Sequence, residues 1–237
     1  MARPSTVDLI AAELRTAIFT GALPVGSPIG EVEMSSQLGV SRGPLREAAQ
    51  RLVEEGLLTA SPGRGLRVTT IGPDQIADVY DARMAIESQA ARMIAAAPAA
   101  FDLEALDRAL AALETVSEGD DARAIGDADL AFHRLLVDTV GSPRLSKAMA
   151  TLAIETRIAS LSEKNGYSVR RTVSPTYREL MTALRDGDAA MAEDALRRQF
   201  AAAVDRLTGR DDDVETIETP VEGEPQAFSP IAVVDET

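Results

Sequence analysis

Three polar side chains near the N-terminus share one helical spacing. Arg42, Arg46 and Gln50 stand at i, i+4 and i+8, which places them on one face of a helix. A guanidinium fork pairs with guanine acceptors or with phosphate, and a glutamine amide suits adenine. Such a face is able to read paired bases, but a solvated helix face with its arginines paired to glutamates has the same pattern. The surrounding elements must distinguish the two interpretations.

Apolar residues at three- and four-residue steps predict helices at 7–20 and 31–38 and a third helix that begins at Ser41. Because only Gly39 and Val40 separate the second helix from the third, these two form a helix-turn-helix. The side chains that we expect to face inward on these two helices are Val32, Ser35, Leu38, Leu45, Ala48, Ala49, Leu52 and Val53.

A β-hairpin is predicted directly after the third helix. Residues 57–59 and the alternating residues 66–70 form its strands, and a glycine-rich turn joins them. The tip, Gly63-Arg64-Gly65, exposes backbone and one cation where a hairpin beside a helix-turn-helix approaches phosphates or a minor groove. An ordinary hairpin turn can have the same sequence. The interpretation as a DNA contact therefore depends on the helix-turn-helix that precedes the hairpin.

Residues 7–70 resemble the winged-helix DNA-binding domain of the GntR family of bacterial transcription regulators. The resemblance lies in LGVSRGPLREA, followed in order by EEGLL and PGRGLRV. It implies that the recognition helix and the wing contact double-stranded DNA through Ser41, Arg42, Arg46, Arg64 and Gly65, beside Gln50 on the same helix face.

Gly72-Pro73 marks a domain boundary, and helical spacing continues beyond it. We therefore predict a mainly α fold: a winged helix-turn-helix at 1–71, an all-helical bundle of about six helices at 72–208, and a disordered acidic tail at 209–237. The helices of the bundle are expected at about 73–96, 102–116, 121–140, 144–163, 173–186 and 188–207.

The bundle resembles the FCD effector-binding and dimerisation domain of the FadR branch of GntR regulators, through DVYDARMAIESQAARMIA, DLAFHRLLVDTVGSPRL and TYRELMTALRDGDAAMAEDALRRQF. Many FCD domains hold a divalent metal with an aspartate, a histidine four residues later and two further histidines. Asp129 and His133 match the first pair, whereas Tyr177 and Gln199 stand at the other two positions and are poor metal ligands. We expect no cofactor, with Asp129 and His133 as weak metal candidates. The four side chains would instead contact each other or an effector.

A second pair with helical spacing is Arg83 and Glu87. The resemblance implies that the arginine faces the cavity and pairs with a carboxylate effector, an organic acid. An intrahelical Arg83–Glu87 salt bridge is the alternative. Arg157 is a weaker second candidate for effector binding.

Composition limits the kinds of site and the classes of protein that the chain can form. The net charge is −14, but residues 1–70 carry seven arginines and seven acids, and residues 211–237 carry nine acids and no base. With no cysteine and one histidine, disulfides and metal sites of several imidazoles are excluded. No apolar run is long enough to cross a membrane, so we expect a cytoplasmic protein.

The resulting hypothesis is a transcription regulator that binds a palindromic operator as a homodimer and responds to a small effector in the bundle. Two alternatives remain open. One is a winged helix that binds protein rather than DNA. The other is a helical-bundle enzyme with His133 as general base, which lacks a nucleophile elbow or phosphate loop.

Overall fold

The computed structural model describes residues 4–61, 63, 65–161, 167–170, 175–209 and 216–219, the two short segments 167–170 and 216–219 by their backbone alone. The chain divides into two units, and the division falls between Thr70 and Ile71. Among the described residues, the first unit contains three helices and a small sheet, and the second contains a bundle of helices. The fold is therefore mainly helical.

The first unit opens with α1 (Thr6–Thr20). Ser5 caps this helix by accepting from the Asp8 backbone N–H, and the Asp8 carboxylate accepts in return from the Ser5 backbone. Ion pairs then join α1 to the helix that ends the helix-turn-helix, at 2.5 Å between Asp8 and Arg51 and 2.6 Å between Arg15 and Glu55. The apolar face of α1 packs on that same helix.

The helix-turn-helix consists of α2 (Glu31–Leu38) and α3 (Arg42–Glu54). The inward side chains of α3 are as predicted, except that Val53 is only half-buried. Val32 was wrongly expected to face inward: it is 61% exposed, and Met34 is buried instead. At 100° per residue Met34, Ser35 and Leu38 share one face of the helix, and Val32 lies away from it.

Three antiparallel strands complete the first unit: β1 (Pro28–Ile29), β2 (Leu58–Ser61) and β3 (Gly65–Val68). Their order is β1-β3-β2, so the hairpin of β2 and β3 is the predicted wing. Ser61 pairs with Gly65 at its tip and Leu58 with Val68 at its base. The sequence did not indicate β1, because two residues are too few to show alternation.

The second unit contains, among its described residues, the six helices that the spacing predicted. The helices are α4 (Pro73–Ala96), α5 (Leu103–Val116), α6 (Ala122–Asp138), α7 (Pro143–Leu161), α8 (Thr176–Asp186) and α9 (Ala189–Leu207), with a 3-10 turn at Pro98–Ala100. The predicted limits at 163 and 173 lie outside the described residues. The long helix α4 packs against α6, α7, α8 and α9 and forms the centre of the bundle.

A short ribbon is added to the bundle by β4 (Tyr167–Arg170) and β5 (Thr216–Thr219). The strands are antiparallel, with Tyr167 opposite Thr219 and Arg170 opposite Thr216. Four residues of the predicted tail, 216–219, take part in this backbone pairing. Most of 209–237 lies outside the described residues.

None of the described helices is long and apolar enough to cross a membrane.

Candidate functional site

The outer face of α3 presents the three side chains that the spacing grouped. Arg42, Arg46 and Gln50 are all exposed, opposite the stripe that packs on α1. Arg46 donates through Nε to Glu31 Oε2 of α2 at 2.8 Å. Because the Arg46 side chain is 64% exposed, this bridge is weak and open to exchange with another anion.

The N-terminus of α3 lies at the same surface. Ser41 is its N-cap residue in an extended conformation, and the Ser41 hydroxyl makes no capping hydrogen bond to the helix. The first turn of α3 holds no acidic residue, and Arg42 opens it. A helix N-terminus with free amides and an added cation attracts a phosphate group. Ser41 and Arg42 therefore lie where the helix favours a bound anion.

The wing ends in two glycines with left-handed backbone. Gly63 has φ of +76° and Gly65 has φ of +71°, a conformation that other residues rarely adopt. A side-chain atom added at Gly65 would meet nothing within 4 Å, so the chain leaves open space there. That space leaves the Gly65 backbone accessible, and its contact with a DNA groove stays a prediction. Arg64 lies outside the described residues.

The second group of candidates forms a buried polar cluster in the bundle. Arg83 and Glu87 of α4 are 1% and 0% exposed, and Arg83 Nε lies 2.9 Å from Glu87 Oε1. The Arg83 guanidinium carbon is 5.0 Å from the ring centre of Tyr80 and 4.6 Å from that of Phe200. The intrahelical salt bridge, one of the two interpretations of the spacing, is thus formed, and two aromatic rings fix its orientation.

Glu87 continues the cluster to α6 and α8. Its Oε2 lies 2.5 Å from His133 Nδ1, and His133 Nε2 lies 3.1 Å from the Tyr177 hydroxyl. The Tyr177 hydroxyl in turn donates to Asp129 Oδ1. Asp129 and His133, which spacing placed on one helix face, therefore meet Tyr177 of another helix. The Asp129 side chain is 38% exposed, so the cluster reaches solvent on the α6 side.

The electrostatics of the cluster keep Glu87 charged and the Tyr177 phenol neutral. Burial raises the pKa of Glu87, but the charges of Arg83 and His133 outweigh this effect and leave it below its ordinary value. Burial, with the Asp129 charge beside it, raises the pKa of Tyr177 well above its ordinary value. Although burial alone lowers the pKa of Arg83, the Glu87 charge raises it overall.

One proton position on His133 follows from its neighbour. An ionised Glu87 only accepts, so His133 Nδ1 donates to it. His133 Nε2 faces the Tyr177 hydroxyl, which also contacts Asp129, so the ring links Glu87 to the Tyr177–Asp129 pair.

The donor set does not fit a transition metal. Both ring nitrogens of His133 are engaged, by Glu87 and Tyr177. Tyr177 and Gln199 supply no anionic or imidazole ligand, and the described residues contain no group of three histidines or acids able to hold a metal ion.

Gln199 of α9 is 92% buried, and neither of its amide atoms has a hydrogen-bond partner among the described residues. The same holds for Arg83 Nη2. Arg157 of α7 donates to Asp127 of α6, so this candidate already has a carboxylate neighbour.

Three side chains of the site were missed in the sequence. Tyr80 and Phe200 enclose Arg83, while Phe132 packs edge-on against both His133 and Tyr177. The chain has only three tyrosines and five phenylalanines, and four of these eight aromatic residues surround the cluster. That scarcity is the signal that marks the site.

Comparison with known protein families covers both units. The family model of bacterial regulatory proteins of the gntR family matches residues 6–68, and the model of the FCD domain matches residues 78–202. The chain belongs to the GntR family. This GntR protein is therefore a DNA-binding transcription regulator with an FCD effector-binding domain, and it is not an enzyme.

Individual relatives agree with the family match. A probable D-xylose utilization operon transcriptional repressor of Paenarthrobacter nicotinovorans is 32% identical, over 78% of this GntR protein and 81% of the repressor. A regulator of helix-turn-helix type from Agrobacterium vitis is 36% identical, over 52% and 74% of the two chains. The crystal structure of a GntR regulator from Rhodococcus sp. RHA1 superimposes with a TM-score of 0.73 at 26% identity, covering 86% of this chain and 98% of that one.

Proposed function

We propose that this GntR protein is a cytoplasmic, effector-responsive regulator that places α3 in the major groove of a palindromic operator. The observation that supports this most directly is the exposed row of Arg42, Arg46 and Gln50 on the second helix of a helix-turn-helix. Two guanidinium forks and an amide on one helix face are the groups that pair with base edges in the major groove. The wing, with its open glycine tip, approaches the neighbouring backbone.

The protein acts as a homodimer. A single helix of 13 residues reaches only a few base pairs, which is too little for the selectivity of a regulator. Two copies related by a two-fold axis present two α3 helices to half-sites about 34 Å apart. Light scattering of the purified chain measures the dimer mass, and footprinting on a bound fragment measures the spacing of the two protected half-sites.

The DNA interface is tested with Arg42→Ala and Arg46→Ala against fragments that flank the gene. We expect each substitution to weaken binding by about tenfold or more, because a bidentate base contact contributes about 1–3 kcal/mol. The matched control is Arg108→Ala, which removes an exposed arginine of α5. DNA binding that is unchanged by both substitutions, Arg42→Ala and Arg46→Ala, supports instead a winged helix that contacts protein.

The effector is a small polar metabolite held at the buried cluster. Support comes from Arg83 and Gln199, whose unpartnered atoms lie inside the bundle. By binding one arrangement of the dimer more tightly than the other, the metabolite changes the population of DNA-competent molecules. An organic acid would have to use Arg83 Nη2, since Nε is bound to Glu87.

The relative named for D-xylose utilization makes a hydroxylated metabolite a reasonable class for this chain. The enzyme alternative has no support in the cluster, because both ring nitrogens of His133 are engaged, by Glu87 and by Tyr177.

A further inference from the structure

Two buried residues of the bundle keep hydrogen-bonding capacity that no described residue uses. Arg83 Nη2 is an unused donor, and Gln199 offers an unused donor, Nε2, and an unused acceptor, Oε1. Arg83 is 1% exposed and Gln199 is 8% exposed, so bulk water does not solvate them freely. Buried polar atoms are nearly always paired in folded proteins. The three atoms together describe what a bound molecule must supply.

The orphan atoms lie on two helices, α4 and α9, that pack against each other. Gln199 directly precedes Phe200, and the Phe200 ring lies 4.6 Å from the Arg83 guanidinium carbon. Tyr80 lies against the same guanidinium, and Glu87 holds its Nε, so the direction of Nη2 is fixed. A hydroxyl group both donates and accepts, and therefore complements the Gln199 amide and the Arg83 donor alike.

Charge argues against an anion at this place. Both oxygens of Glu87 are in use, one by Arg83 and the other by His133. Asp129 accepts from Tyr177 and is the second carboxylate of the cluster. A carboxylate ligand would add a further negative charge beside these two, and burying an uncompensated charge is costly.

We propose that the bundle of this protein binds an uncharged polyhydroxylated molecule, an aldose or polyol of five or six carbons, through Gln199 and Arg83 Nη2. This inference rests on the proposed function, because it assigns the chemical class of the effector. It also replaces the organic acid that the sequence suggested.

Matched pairs of neutral and acidic probes test the charge. Full-length protein is titrated with D-xylose, xylitol and D-glucose, and with D-xylonate and D-gluconate, by calorimetry and by thermal unfolding. At least one neutral probe is expected to raise the Tm and to bind about tenfold or more tightly than its acid counterpart. Tighter binding of an acid, or binding of none of the five, overturns the proposal.

A second test uses Gln199→Met, which keeps the length of the side chain and removes both polar atoms. Since these atoms have no described partner, we expect the ligand-free variant to be as stable as the parent or more so. The same variant is expected to lose the ligand-induced rise in Tm. A variant that loses stability without ligand, or keeps the rise, contradicts the role of Gln199. The control is Gln89→Met, an exposed glutamine of α4.

Operator binding is measured on the same samples without ligand. If none of the probes binds while DNA binding depends on Arg42 and Arg46, the proposed effector class is wrong and the proposed role as a DNA-binding regulator is kept. If DNA binding also fails, the proposed function is wrong as well.

Discussion

Glu87 Oε2 lies 2.5 Å from His133 Nδ1, although 46 residues separate the two along the chain. This contact joins α4 to α6 inside the bundle. It also makes Glu87 the shared partner of His133 and Arg83, because its other oxygen accepts from Arg83. The stability of the bundle and the charge of its interior therefore depend on one carboxylate.

Replacing that carboxylate is expected to destabilise the bundle strongly. Glu87→Gln leaves Arg83 and His133 buried with less compensating charge, and breaking a buried pair costs about 3–5 kcal/mol. Urea unfolding followed by circular dichroism measures the loss. Glu104→Gln, at a carboxylate that is 90% exposed, is the control and should change little. A loss equal to that of the control would contradict the central role of Glu87.

Acid should weaken the fold through the same group. The pKa of Glu87 is lower when folded than its ordinary value of 4.5, because the charges of Arg83 and His133 outweigh the effect of burial. Its contribution to stability is therefore complete above pH 4.5 and is lost as pH falls through the lowered pKa. We expect the unfolding free energy to fall below that pH, and to fall less in Glu87→Gln. Equal slopes for parent and variant would assign the acid sensitivity to other carboxylates.

Glu31 is expected to compete with DNA for Arg46. Because Glu31 Oε2 holds Arg46 Nε at 2.8 Å, Glu31→Gln removes both this partner and a negative charge beside the phosphates. Operator affinity should rise by about two- to tenfold, as measured by fluorescence anisotropy at fixed salt. Glu104→Gln controls for the change in net charge. A fall in affinity would show that Glu31 positions Arg46 for binding.

Gly187 is expected to tolerate no side chain. It ends α8 with φ of +72°, and an added Cβ would lie 3.1 Å from the backbone oxygen of Ala95. Gly187→Ala should cost more than the roughly 1 kcal/mol of the backbone conformation alone. Gly141→Ala separates the two causes, since Gly141 has φ of +66° with nothing within 4 Å. Equal losses of unfolding free energy in Gly187→Ala and Gly141→Ala would show that the contact with Ala95 adds no cost.

Removal of residues 210–237 should expose the backbone of β4. Tyr167 to Arg170 pair with β5, and a strand without its partner is not protected from exchange. Hydrogen–deuterium exchange should become faster at 167–170 in the shortened chain, while β3 of the wing serves as the unchanged reference. Unchanged protection at 167–170 would show that the pairing does not persist in solution.

The sequence by itself determined the helices and the exposed face of the recognition helix. Apolar spacing and caps are local properties, so α3 and its outward Arg42, Arg46 and Gln50 could be predicted. Val32 was misplaced because a helix of eight residues allows several orientations of a short apolar stripe.

Tertiary structure decided the partners in the interior. The spacing of Arg83 and Glu87 allowed either an anion site or a salt bridge, and only the packing of α4 against α6 brought His133 to the second oxygen of Glu87. The pairing of β4 with β5 likewise needed two segments that are distant in the chain. Such contacts follow from which helix faces and strand edges meet, and one sequence does not encode that locally.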